Sequence, residues 1–94
     1  MTPQAGKFLE KAEKLLAEAE TMLGVGLCDA AGRTSYLAGF HAAQAFIFEA
    51  TRRVLKTHKG VQTEFLRLTK DNRLLDGDLR VFLSRTYDLK STAD

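Results

Sequence analysis

Tryptophan is absent, cysteine and proline occur once each, and no run of apolar residues approaches the length of a membrane span. A single cysteine, Cys28, excludes an intrachain disulfide. With only His41 and His58 beside it, and no Cys-x2-Cys or His-Glu-x2-His spacing, a metal site is not expected either. The one proline stands at position 3, so no helix interior downstream is interrupted by a missing N–H. Strict alternation of apolar and polar residues is also missing, which excludes half-buried strands. There is no Walker loop, and Gly24-x-Gly26 lacks both a third glycine and a preceding strand, so no dinucleotide fingerprint is present. No cofactor is therefore expected. The N-terminus shows no charged stretch followed by an apolar one, and the expectation is a soluble cytoplasmic protein with no membrane contact.

What is present is helical periodicity. A chain of 94 residues with 45% hydrophobic and 28% charged residues fits one domain, residues 1–94, with a single core. Phe8, Ala12, Leu15, Leu16, Ala19, Met22 and Leu23 recur at three- and four-residue steps and predict an amphipathic first helix, stopped by Gly24 and Gly26. A second helix is predicted from Asp29, as N-cap, to Lys56. Its core stripe reads Tyr36, Phe40, Ala43, Ile47, Ala50 and Val54, with a second stripe of Arg33, Leu37, His41, Gln44 and Phe48 beside it. Such a helix is apolar around much of its girth and belongs at the centre, covered on more than one side. Thr57 to Gly60 reads as a break with Thr57 capping a short third helix that carries Val61, Phe65, Leu66 and Leu68. Asp78 is placed as the cap of a fourth, with Leu79, Phe82, Leu83, Thr86 and Leu89 facing inward. The expected fold is all-α, an antiparallel bundle of about four helices. The last residues are still in helical register, so a terminal helix is expected to be lacking or truncated, with a second subunit covering the open face.

Charge is segregated along the chain. Residues 1–51 hold four basic and six acidic groups, residues 52–73 hold seven and two, and residues 74–94 hold three and four. Arg52, Arg53, Lys56, Lys59, Arg67, Lys70 and Arg73 make the middle segment strongly positive. Such an excess suits RNA, a nucleotide or an acidic protein surface. The same cations also suit a solvated helix face and the negative end of the second helix dipole.

The run Ser35-Tyr36-Leu37-Ala38-Gly39-Phe40-His41-Ala42-Ala43-Gln44-Ala45 is followed by Lys56-Thr57-His58-Lys59-Gly60-Val61, a phenylalanine at 65 and a late Leu-Ser-Arg-Thr-Tyr-Asp. Together these resemble the prokaryotic HEPN family, in particular its small UPF0332-type branch, over roughly residues 32–94. The resemblance implies a helical, dimerising protein of a toxin-antitoxin or defence system, often encoded beside a minimal nucleotidyltransferase. Beside the bland option of a dimerising helical protein whose basic end contacts only protein, two functions follow. One is a module that binds RNA, a nucleotide or its partner through Arg33, His41, Gln44, Arg52, Lys56, Thr57 and Lys59. The other is a metal-independent endoribonuclease. Arg53-x4-His58 and Arg52-x5-His58 satisfy the Arg-x(4 to 6)-His spacing of such enzymes, in which histidine manages the proton of the 2'-hydroxyl and arginine stabilises the phosphorane. The common Arg-Asn-x3-His form is absent, since the one asparagine, Asn72, precedes Arg73 and no histidine follows it. This favours the module, with Arg53 and His58, or Arg33 with His41 across a dimer seam, as the catalytic pair of the alternative.

Each candidate has a bland reading beside the functional one. His41 is either a general acid or base, or a neutral histidine satisfied by a neighbouring helix. Arg33 and His41 stand eight residues apart, about 12 Å of helical rise, so within one subunit they can share an extended ligand but not one atom. Thr57 reads first as a helix cap, and Tyr36 and Phe40 read first as core. Arg85 and Tyr87 could join a ligand groove or stay at the surface.

Overall fold

The computed structural model describes residues 1–70 and residue 87. Among these residues are the three helices α1 (Pro3–Gly24), α2 (Cys28–Thr51) and α3 (His58–Thr69). The fourth helix expected from Asp78, the cap cluster between Asp71 and Asp78, Arg85 and the chain end lie outside the described residues. No helix among the described residues is long and apolar enough to cross a membrane.

The first helix begins where its lone proline permits. Pro3 needs no N–H partner in the first turn, and the Thr2 hydroxyl accepts from the Ala5 N–H as N-cap. At the far end Gly26 adopts φ 82°, a left-handed turn that glycine enters without steric penalty, and the Leu27 N–H returns to the Met22 carbonyl at 2.9 Å. The predicted stop at Gly24 and Gly26 is thus observed. Asp29 is not the cap of α2: that position falls on Leu27, which offers no side-chain acceptor, and Asp29 sits inside the first turn, where its charge faces the positive helix end.

Alanine governs how α1 meets α2. Ala5, Ala12 and Ala19 are buried on α1, and Ala31, Ala38 and Ala45 on α2, each set at seven-residue steps. Antiparallel pairing follows from the contacts at both ends: Thr2 reaches Glu49, and the Thr34 hydroxyl lies 3.4 Å from Met22 Sδ. A seven-residue repeat of the smallest side chain lets two helix backbones approach closely along a shared seam. This corrects the predicted stripe of α1: Leu16 and Leu23 are exposed, while Phe8 and Leu15 are half-buried.

The opposite side of α2 carries the large residues. Tyr36, Phe40, Ala43 and Ile47 form the core with Val61 and Phe65 of α3, and Leu55, Leu68 and Tyr87 pack against it. Helix two is therefore covered on two sides, as its pattern predicts, but its stripe stops short, with Ala50 and Val54 exposed.

The helix also ends early, at Thr51 rather than Lys56. Arg52 takes φ 63°, and its N–H bonds the Phe48 carbonyl at 2.8 Å, a left-handed cap made without glycine. Its guanidinium turns back onto the same Phe48 carbonyl at 3.3 Å and onto the Glu49 carbonyl at 2.8 Å, satisfying the latter, which the helix leaves open. Residues 53–56 are a non-helical connection, so Arg53 and Lys56 do not stand on the α2 terminus.

Two outcomes are expected from this packing. Ala38→Leu forces a side chain into the alanine seam and should lower stability by about 1–3 kcal/mol or more in urea denaturation, whereas the same change at exposed Ala50 should be nearly neutral. The second concerns acid. The Thr2 backbone N–H and hydroxyl reach Glu49 Oε2 at 3.0 and 2.9 Å and, the backbone bond first, hold its carboxyl below the ordinary 4.5. A lowered carboxyl stabilises the folded chain above its ordinary value and loses that contribution as pH falls through the lowered one. Glu49→Gln should therefore reduce the fall of melting temperature below about pH 4.5 and leave the slope near neutrality unchanged.

Candidate anion site at the connection between helices two and three

The connection is anchored from within α2. Gln44 is buried, and its amide Nε2 donates to the Leu55 carbonyl at 2.7 Å. With the amide nitrogen committed in that direction, Gln44 Oε1 faces His41 Nδ1 at 2.7 Å and accepts from it. A neutral His41 therefore carries its proton on Nδ1 and its lone pair on Nε2. The ring is half-buried and meets Phe40 edge-on, with centroids 5.5 Å apart. Sequence spacing put His41 and Gln44 on one stripe, and the structure joins them directly. It gives His41 an oriented acceptor that could serve as a base or take a ligand proton.

His58 turns the other way. Its Nδ1 lies 2.6 Å from the hydroxyl of fully buried Tyr36. Its ring stands 5.4, 5.3 and 5.0 Å from those of Tyr36, Phe40 and Tyr87. Being the first residue of α3, it plugs that helix into the aromatic side of α2. Arg53 instead points to α3, where its Nη1 lies 3.4 Å from Glu64 Oε2. The proposed catalytic partners are thus engaged with different neighbours, one in the core and one at the surface.

Thr57 is the N-cap of α3, as its sequence position predicts, and accepts from the Gly60 N–H at 3.0 Å. The cap brings the connection and the first turns of α3 around a shallow cavity of about 440 Å³. Arg53, Lys59, Arg67 and Glu64 supply its charges, with Leu55, Gly60 and two threonine hydroxyls between them. Among the predicted ligand residues, Thr57 and Lys59 line this cavity, together with Arg53 of the candidate catalytic pair. Arg52 is turned onto its own helix end, Lys56 is exposed, and Arg33 is half-buried about two turns of α2 before His41. Thr63 and Glu64 were missed by a scan for cations and histidines. The one signal for Glu64 was its three-residue spacing from Arg67, to which its Oε1 is bonded.

The cap itself is testable. A methyl group added at Gly60 would come within 2.6 Å of Thr57 Oγ1. Thr57→Ala should cost about 1 kcal/mol. Gly60→Ala should bring none of the gain of about 1 kcal/mol that alanine ordinarily gives over glycine in a helix, because it displaces the capping hydroxyl. In the Thr57→Ala background the same change should stabilise. Additive values in this double-mutant cycle would mean that the hydroxyl and the methyl do not compete.

With this geometry in place, comparison with known proteins gives a consistent result. The HEPN domain family matches residues 5–93. A UPF0332 protein of Archaeoglobus fulgidus is 35% identical over 86 residues, covering 92% of this chain and 67% of that protein. No solved structure matches the chain.

Proposed function

Since the chain belongs to the HEPN domain family, we propose that it is an RNA- or nucleotide-binding and partner-interaction module. Its contact surface is the cavity at the connection between α2 and α3. The observation that carries this reading is the grouping of Arg53, Lys59 and Arg67 around one opening, with Glu64 the one acid among the described residues that line it. Guanidinium and ammonium groups at such an edge neutralise phosphates and release their counterions. Hydroxyls of Thr57 and Thr63 at the same opening add uncharged hydrogen-bonding groups.

The reading extends to a homodimer and to a minimal nucleotidyltransferase as cognate partner in a toxin-antitoxin or defence setting. Family membership is its support there. The alternative, a metal-independent ribonuclease using Arg53 and His58, needs both groups on one phosphate. The engagement of His58 Nδ1 with the hydroxyl of buried Tyr36 supports the binding module instead.

Salt dependence tests the proposal. Affinity for a short single-stranded RNA should fall as salt rises, with a log–log slope of about −0.7 for each phosphate neutralised. Arg53→Gln and Lys59→Gln should each weaken binding at low salt and make the slope shallower by about 0.7, while Lys7→Gln on α1 changes neither. RNA and nucleotide binding that is absent, or indifferent to salt and to both substitutions, would remove the cavity from consideration.

A further inference from the structure

The cavity already contains an anion of its own. Glu64 Oε2 lies 3.4 Å from Arg53 Nη1, and Glu64 Oε1 is bonded to Arg67 Nε. One carboxylate thus bridges two guanidiniums that come from different segments, Arg53 from the connection and Arg67 from the last turn of α3. Two oxygens shared between two arginines is also how a phosphate group is held. The three side chains differ in depth: Glu64 is 11% exposed, Arg53 65% and Arg67 63%. The carboxylate lies low in the opening, and the guanidiniums keep most of their surface towards solvent.

We propose that Arg53 and Arg67 form a phosphate-binding pair that Glu64 occupies as an internal competitor in the free protein. The ligand is the phosphate group of an RNA strand or of a nucleotide. This inference rests on the module reading above and adds a regulator to it. A phosphate entering the opening either displaces the carboxylate from the arginines or lies beside a like charge, and both weaken binding. Displacement is feasible because both guanidiniums are largely exposed, and solvent and salt weaken ion pairs made at such a surface. Glu64 then sets how tightly the site holds phosphate and keeps the two arginines apart and oriented before a ligand arrives.

The effect has a sign that a purely structural role for Glu64 would not produce. Glu64→Gln preserves size and one of the two acceptor oxygens while removing the charge, and Glu64→Ala removes the charge and both acceptors. Both variants should bind a labelled single-stranded RNA about twofold to fivefold more tightly than the wild type at low salt. Their salt slope should steepen by about 0.7, since one more cation becomes available to a phosphate. Parallel titrations with ATP and with inorganic phosphate identify the source. Tightening for RNA alone assigns the pair to a polynucleotide backbone, and tightening for ATP as well assigns it to the phosphate group at large. Circular dichroism and thermal melting establish that each variant is folded, and either variant suffices for the comparison. If the wild type binds and neither folded variant binds more tightly, the internal-competitor inference alone is overturned. If none of the three proteins binds RNA, ATP or phosphate, it falls together with the module reading.

Discussion

Everything described depends on α2 having two apolar sides of different depth. One side is a row of alanines that meets the alanines of α1. The other carries Tyr36, Phe40 and Ile47, which need a second element to cover them and receive it from α3. A helix buried on both sides cannot shift towards one neighbour without opening a gap against the other, because packed interiors tolerate neither voids nor overlap. This fixed axis gives the connection between α2 and α3 a defined place to begin and end.

That connection is where local and tertiary demands meet. Helix two ends at a non-glycine residue in a left-handed conformation, which costs roughly 1–2 kcal/mol for an ordinary side chain. Arg52 offsets part of it by hydrogen bonding its guanidinium to two carbonyls of the last turn. Immediately afterwards Leu55 contributes its side chain to the core margin and its carbonyl to Gln44, and Thr57 restarts the helix. Ending α2 at Thr51 lets the next turn bring His58 back over Tyr36 and Phe40. A helix continued to Lys56 would have carried the chain about another turn and a half along the axis, past the aromatic residues that α3 covers.

The helical class, the stop at Gly24 and Gly26, the Thr57 cap and the buried character of Tyr36, Phe40, Val61 and Phe65 were all legible, because each is written in local chemistry: glycine at a turn, a hydroxyl three residues before an N–H, large apolar residues at helical steps. The alanine seam was legible only in part: Ala12 and Ala19 fall in the periodic stripe of α1, but Ala5 and the row Ala31, Ala38 and Ala45 do not, because only contact between two alanine rows makes small residues, rather than Leu16 and Leu23, the buried ones. The end of α2 was hidden for a similar reason. No glycine or proline lies between Thr51 and Lys59, so nothing local announces a break that tertiary packing imposes. At the candidate site, composition located the positive segment with Arg53, Lys59 and Arg67, and the cap position picked out Thr57. It could not separate cations that share an opening from those, such as Arg52, used to finish a helix. It also gave no reason to notice the single carboxylate among them.

The bond from Gln44 to Leu55 changes what sort of surface the connection presents. Four residues of non-helical backbone between two helices would ordinarily sample many conformations, and a ligand that fixed them would lose affinity in proportion to the freedom removed. Here the middle of the segment is pinned to a buried amide, and both ends are closed by caps. The entropy of placing the Arg53 backbone beside α3 has therefore been surrendered during folding, and any group that later meets this surface finds its backbone already in place.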